Sequence, residues 1–244
     1  MSGVSDFLNM MHEPERYAES YFSRLAGVTV PTGVAQIARF QDPNARLVND
    51  WVSRIQSRIP GKSKDLPLNR DVWGRTLSKK SGLGSAYDFL SPAYSSKNAV
   101  EPIDIELERL GHWISKPSRT VSFDGVKVNF RNRPEWYSRY MELQGNGLKK
   151  RVSFKDTKTG KWESEELGLL EELNLLVTGR HSKSVTYARI SDPYKEKMIN
   201  KKVAEFRERA RNQLLDEFPK LDALVEVKRE QIPRKYEFQT GAQK

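Results

Sequence analysis

The residues nearest to a chemical signature are Gly61-Lys62-Ser63, in the stretch RIPGKSKDLPLNRDVWGR from Arg58 to Arg75. They spell the end of a phosphate-binding loop. Such a loop needs its first glycine five positions before the Gly-Lys pair, a strand before it and a helix after it. That position is Gln56, within a helical pattern, and the residues after Ser63 run into DLPLN, which cannot open a helix. The expected role of the triplet is therefore a connector. His12, His112 and His181 are the only histidines, and none stands at metal-ligand spacing from another. The acid pairs Glu165-Glu166 and Glu171-Glu172 are chain neighbours, whose side chains diverge on a helix. A G-x-S-x-G elbow is absent. Paired carboxylates that meet only in three dimensions stay open, with no pair nominated. The expectation is a non-enzymatic chain without catalytic residues, cofactor or metal.

The remaining signal is cationic. Lys149, Lys150 and Arg151, with Lys155, Lys158 and Lys161, surround Phe154 and Trp162. That mixture can neutralise phosphates and stack bases. Lys201, Lys202, Arg207, Arg209 and Arg211 ride a long helical pattern. The alternative is a set of solvated faces, since Glu163, Glu205 and Glu208 are interleaved with them. No zinc finger, basic zipper or RNA-recognition signature is present.

The elements that position these residues read mainly α: several short-to-medium helices, one or two small β-hairpins, long irregular segments and extended terminal arms. Phe7 to Met11, Tyr17 to Leu25 and Val34 to Phe40 are short helical patterns. Asp42-Pro43 reads as a helix start. Val48, Trp51, Val52, Ile55 and Ile59 then recur at helical spacing until Pro60-Gly61. From Pro60 to Ala99 periodicity fades, while Leu66, Leu68, Trp73, Tyr87, Phe89 and Tyr94 supply apolar anchors suited to a neighbouring surface. Asp104 to Ile114 is a short helix carrying Ile105, Leu107, Leu110 and Trp113. RTVSFDGVKVNF alternates around Asp124-Gly125, the favoured two-residue hairpin turn. Pro134 to Leu143 is helical, Thr159-Gly160 centres a second, weaker hairpin pattern, and Leu167 to Val177 is an apolar helix. Pro193 to Phe218 carries the stripe Ile199, Val203, Phe206, Ala210 and Leu214. The expected segments are an N-terminal helical part at 1–60, an irregular connector or assembly arm at 61–100, a helical core with hairpins at 101–219, and an extended basic tail at 220–244. Internal repeats are absent.

Composition sets the limits. The 244 residues are 37% hydrophobic and 30% charged, with 42 Lys and Arg against 32 Asp and Glu, a net charge of +10. Mean hydropathy is −0.71. The basic balance points to nucleic acid, an acidic protein surface or anionic lipid as partner. Zero cysteines remove disulfides and thiolate chemistry and fit a reducing compartment. No apolar run reaches 18 residues, so no transmembrane helix is expected. The N-terminus lacks the pattern of a secretory signal, so assembly in the cytoplasm is expected.

Taken in order, SYFSRLAGVTVPTGVAQIARFQDP, RIPGKSKDLPLNRDVWGR, EPIDIELERLGHWISKPSRTV, RPEWYSRYMELQGN and FRERARNQLLDEFP form a set of landmarks over residues 17–219. In this order they resemble a large polyvalent-protein-associated domain found near the C-termini of giant tailed-phage internal virion or ejection proteins. The resemblance implies a structural protein inside a phage head, near the portal, delivered with the genome. Its implied partners are portal or internal core proteins, further copies of itself and packaged DNA. A portal- or capsid-attached accessory and a sequence-independent nucleic-acid binder are the alternatives. In that family the module trails an enormous chain, whereas this one begins at Met1. The family supplies no catalytic residues to carry over.

Overall fold

The structure is a computed structural model that describes residues 35, 38, 41–78, 100–179 and 182–231. Among the described residues it is mainly α, with two separate two-stranded antiparallel sheets. The expected helices before Val34 and the far end of the C-terminal tail lie outside the described residues.

The Asp42–Ile59 helix expected from the apolar stripe is not what forms. The backbone from Asp42 to Asn49 is extended, and Asn44 bridges Ser78 while Arg46 bridges Leu68. Asp42 closes the preceding helical turn, its N–H donating to the Ala38 carbonyl at 2.9 Å, and its carboxylate takes the Arg46 guanidinium. The helix α1 spans only Trp51–Gln56. Asp50 is its true cap: the Ser53 N–H donates to Asp50 Oδ1 at 2.7 Å, and the Asp50 N–H donates to Ser53 Oγ at 3.1 Å. This short helix buries no residue, and Trp51, Val52 and Ile59 are exposed. Non-local backbone pairing overrode the helical spacing, because 44–47 meets 67–69 and 77 in a ladder of hydrogen bonds.

That ladder also corrects the described part, 61–78, of the segment 61–100 expected to be an irregular connector or assembly arm. Leu47 donates to Pro67, Asn69 to Ala45 and Leu77 to Asn69, so three short passes lie side by side. Leu66 is buried and Trp73 is 3% exposed, packed with Ile103, Leu107 and Leu173 in the chain's own core. The Trp73 indole N–H donates to Asp104 Oδ1 at 3.2 Å. Leu68 is half-buried, and its carbonyl accepts from Ser138 Oγ at 2.7 Å. An anchor that is already buried at home is not available to a partner. Tyr87, Phe89 and Tyr94 lie outside the described residues.

The helix α2, Pro102–Leu110, begins with Pro102 and stops at Gly111, whose φ of 64° is the left-handed exit that glycine permits. Its inward face is Ile103 and Leu107, four apart; Ile105 and Trp113, expected on the stripe, are exposed. The strands β1, Thr120–Phe123, and β2, Val126–Asn129, pair as expected, Val121 with Val128 and Phe123 with Val126. Asp124 and Gly125 both have positive φ, which the tight two-residue turn requires. Val121, Phe123, Val126 and Val128 face the core. The helix α3, Pro134–Glu142, runs into a wider π turn at Leu143–Gly147. The strands β3, Lys150–Lys155, and β4, Trp162–Leu167, form the second hairpin. The helices α4, Leu169–Val177, and α5, Ser182–Arg189, follow.

The helix α6, Asp192–Glu217, is the spine. All five stripe residues are buried: Ile199, Val203 and Phe206 join the core under α2, α4 and α5, and Ala210 and Leu214 join the core under the first hairpin and α3. One helix therefore staples two apolar clusters. The helix α7, Pro219–Gln231, replaces the extended tail expected from 220 onward. Leu221 and Val225, four apart, are buried against the first hairpin, and Asp222, Glu226, Arg229 and Glu230 take the solvent side.

Candidate nucleic-acid interface

The second hairpin is fixed before it is charged. Val152, Phe154 and Leu167 pack on Leu175 of α4, with Phe154 fully buried. Its tip is held by Asp156, which is 3% exposed and accepts from the Lys158 and Thr159 N–H groups at 2.6 and 2.8 Å. Thr157 Oγ1 donates to the Gly179 carbonyl at 2.8 Å, tying the tip to the end of α4. Gly160 takes the positive φ that completes the turn. A hairpin held at base and tip presents its outer side chains with little ordering left to do on binding.

Those outer side chains are Arg151, Ser153 and Lys155 on β3, directly opposite Glu166, Ser164 and Trp162 on β4. Residues paired in this way stand roughly 5 Å apart on one face. Lys155 therefore neighbours Trp162, which is 74% exposed. Lys158 and Lys161 are exposed in the turn. Among the described residues, Lys155, Lys158 and Lys161 form no ion pair; the hairpin's exposed glutamates, Glu165 and Glu166, lie toward the other end of β4. The tip thus joins three unpaired ammonium groups to a solvent-facing indole. Lys149 and Arg151 are exposed at the opposite end of β3.

The rest of the expected basic set divides. Lys150 and Lys202 both reach Glu205, Lys202 also pairs with Glu172, and Arg209 approaches Glu205 at 3.8 Å. Burial works against the Glu205 carboxylate, but Lys150, Lys202 and Arg209 outweigh it and hold its pKa below the ordinary value. Burial also opposes the Lys202 ammonium, and Glu172 and Glu205 outweigh it, raising its pKa. These cations join the second hairpin to α4 and α6 and are structural. Lys201 is exposed on α6. The cluster that looked continuous in sequence is a structural half and a free half.

The Gly61-Lys62-Ser63 triplet has no phosphate-loop geometry. The helix α1 precedes it, Lys62 and Ser63 themselves open a 3₁₀ turn that runs to Asp65 and is followed directly by no α-helix, and Ser63 is buried. Among the described residues no group of three or more His, Asp or Glu side chains could hold a metal ion, and no helix is long and apolar enough to cross a membrane.

Sequence reasoning passed over one concave surface. The segment His112–Ser115 crosses α6 and leaves a groove of about 470 Å³ that includes Trp113, Asn200, Arg207 and Arg211. Its one signal in the sequence was the Arg207/Arg211 pair at a spacing of four; Trp113, expected on the stripe, gave none. Comparison of the chain with protein-family models, with curated proteins and with solved structures finds no match in any of the three.

Proposed function

We propose that this chain is a non-enzymatic structural component of a tailed-phage particle, an internal core or ejection protein near the portal, that touches packaged DNA through the tip of its second hairpin. The observation that carries the contact is Trp162 standing exposed beside Lys155, with Lys158 and Lys161 in the adjoining turn forming no ion pair among the described residues. Ammonium groups neutralise phosphates whatever the sequence, and an indole stacks on any unpaired base that is offered to it. The ordered landmarks over residues 17–219 support the setting, as does a net charge of +10. Portal or core proteins and further copies of this chain are the proposed protein partners.

Fractionation of purified particles tests the setting. An ejection protein is present in intact virions and missing from ghosts emptied of DNA. Retention in the ghosts favours the portal- or capsid-attached accessory, and absence from purified virions contradicts both. A second reading, sequence-independent nucleic-acid binding outside any particle, rests on the same hairpin tip.

A further inference from the structure

The groove between the His112–Ser115 segment and α6 carries charge that no ion pair among the described residues neutralises. The Arg207 side chain donates from Nε to Gln144 Oε1 at 3.1 Å and from Nη2 to the Ser115 carbonyl at 2.6 Å. Both acceptors are neutral. Arg211 lies one turn further along the same helix, beside the Tyr140 hydroxyl. Among the described residues, neither arginine forms an ion pair, although Glu208 lines the same groove. Burial and the neighbouring Arg211 both lower the pKa of Arg207, with Tyr140 and Tyr137 opposing, the mark of a cation without a counter-ion. Trp113, which lines the groove, is 80% exposed. Also lining it, His112 Nε2 and Asn200 Oδ1 are 3.1 Å apart.

We propose that this groove binds a nucleotide unit, its phosphate held by Arg207 and Arg211 and its base stacked on Trp113. Arginines four apart on a helix stand on one face, roughly 5–6 Å from Cβ to Cβ, a span over which two guanidinium groups can share one phosphate. A carboxylate would satisfy the charge equally well, but an acidic peptide gains nothing from the indole, whereas a nucleobase does. The volume suits a single nucleotide and falls within the usual range of small-molecule sites. The ligand is either a free nucleotide or one unit of a single strand. The site uses none of the hairpin's residues, so it stands or falls independently of the hairpin contact.

The test uses the full chain carrying Lys155→Gln, Lys158→Gln, Lys161→Gln and Trp162→Ala, which silences the hairpin tip. Into this background Trp113→Ala or Arg211→Gln is introduced, both away from the fully buried core. Binding of a short oligothymidylate, thymidine monophosphate, inorganic phosphate and oligoglutamate is followed by calorimetry. The site predicts saturable oligothymidylate binding that Trp113→Ala and Arg211→Gln each weaken by about ten-fold. Phosphate binding should respond to Arg211→Gln and ignore Trp113→Ala. Thymidine monophosphate binding as tightly as the oligomer assigns a free nucleotide; tighter oligomer binding assigns a single strand. The proposal is overturned if neither nucleotide ligand binds or if both variants leave binding unchanged. Oligoglutamate binding as tightly as oligothymidylate, indifferent to Trp113→Ala, also overturns it and makes the groove a seat for an acidic protein.

Discussion

Arg139 and Glu217 meet across the packing of α3 on α6 in a two-point ion pair, Arg139 Nε and Nη2 each lying 2.7 Å from a Glu217 carboxylate oxygen. The pair is one end of a chain of charges. Arg139 also reaches Glu142 at 3.1 Å, and Glu142 takes Arg70 at 2.9 Å. The 67–70 pass, α3 and the end of α6 are thereby joined by alternating signs.

The two hydrogen bonds from Arg139, together with its positive charge, hold the Glu217 pKa below the ordinary 4.5 against the opposing effect of burial. A folded pKa below the unfolded one stabilises the protein at pH values above the unfolded pKa. That contribution is lost as pH falls through the folded pKa. Glu217→Gln is expected to cost about 1 kcal/mol at neutral pH, since both side chains are partly exposed. Urea denaturation across an acid series should show wild type and variant converging in acid. A gap that stays constant down to full protonation would show that the ion pair is not its source.

Gly145 and Gly74 set the approach of two chain segments. A Cβ on Gly145 would overlap the Trp73 carbonyl, and one on Gly74 would sit 2.9 Å from the Met141 carbonyl. Backbone, unlike a flexible side chain, has little room to give. Gly145→Ala is expected to cost about 3 kcal/mol or more. Gly160→Ala, with open space around it and only its φ of 67° to strain, should cost about 1 kcal/mol. Thermal melts of the two variants give the comparison; equal losses would refute the backbone contact.

Leu221 is fully buried under the first hairpin, although it follows the proline that ends α6. Leu221→Ala should lower stability by about 2–5 kcal/mol. Val227→Ala, at an exposed position on the same helix, should change it by less than about 0.5 kcal/mol. Similar values for both would mean that α7 does not dock.

What was legible in the sequence was local. The α6 stripe, from Ile199 to Leu214, repeats at three and four residues, and a long periodic run needs no distant partner to be read. The Asp124-Gly125 and Thr159-Gly160 turns announce their hairpins by the backbone angles they permit. The Val48–Ile59 stripe misled because Ala45 and Leu47 are claimed by Leu77, Asn69 and Pro67, contacts invisible to a sliding window. The α7 helix was passed over because its two buried residues are outnumbered by charge. At the candidate site, the basic run around Trp162 was visible. What was not visible is that Glu205, on α6, takes Lys150 out of it. Only folding brings residues 150 and 205 together.

The proposed grip of the hairpin tip on nucleic acid rests on Lys155, Lys158 and Lys161. The most direct measurement is the salt dependence of DNA affinity for wild type and for the Lys155→Gln, Lys158→Gln, Lys161→Gln protein. Each phosphate contact adds about 0.9 to the slope of log K against log salt on duplex DNA. A steep wild-type slope is expected, falling by about 2–3 in the variant, with affinity lost similarly for unrelated sequences. A wild-type affinity that ignores salt, or a slope unchanged by removing the three lysines, would contradict it.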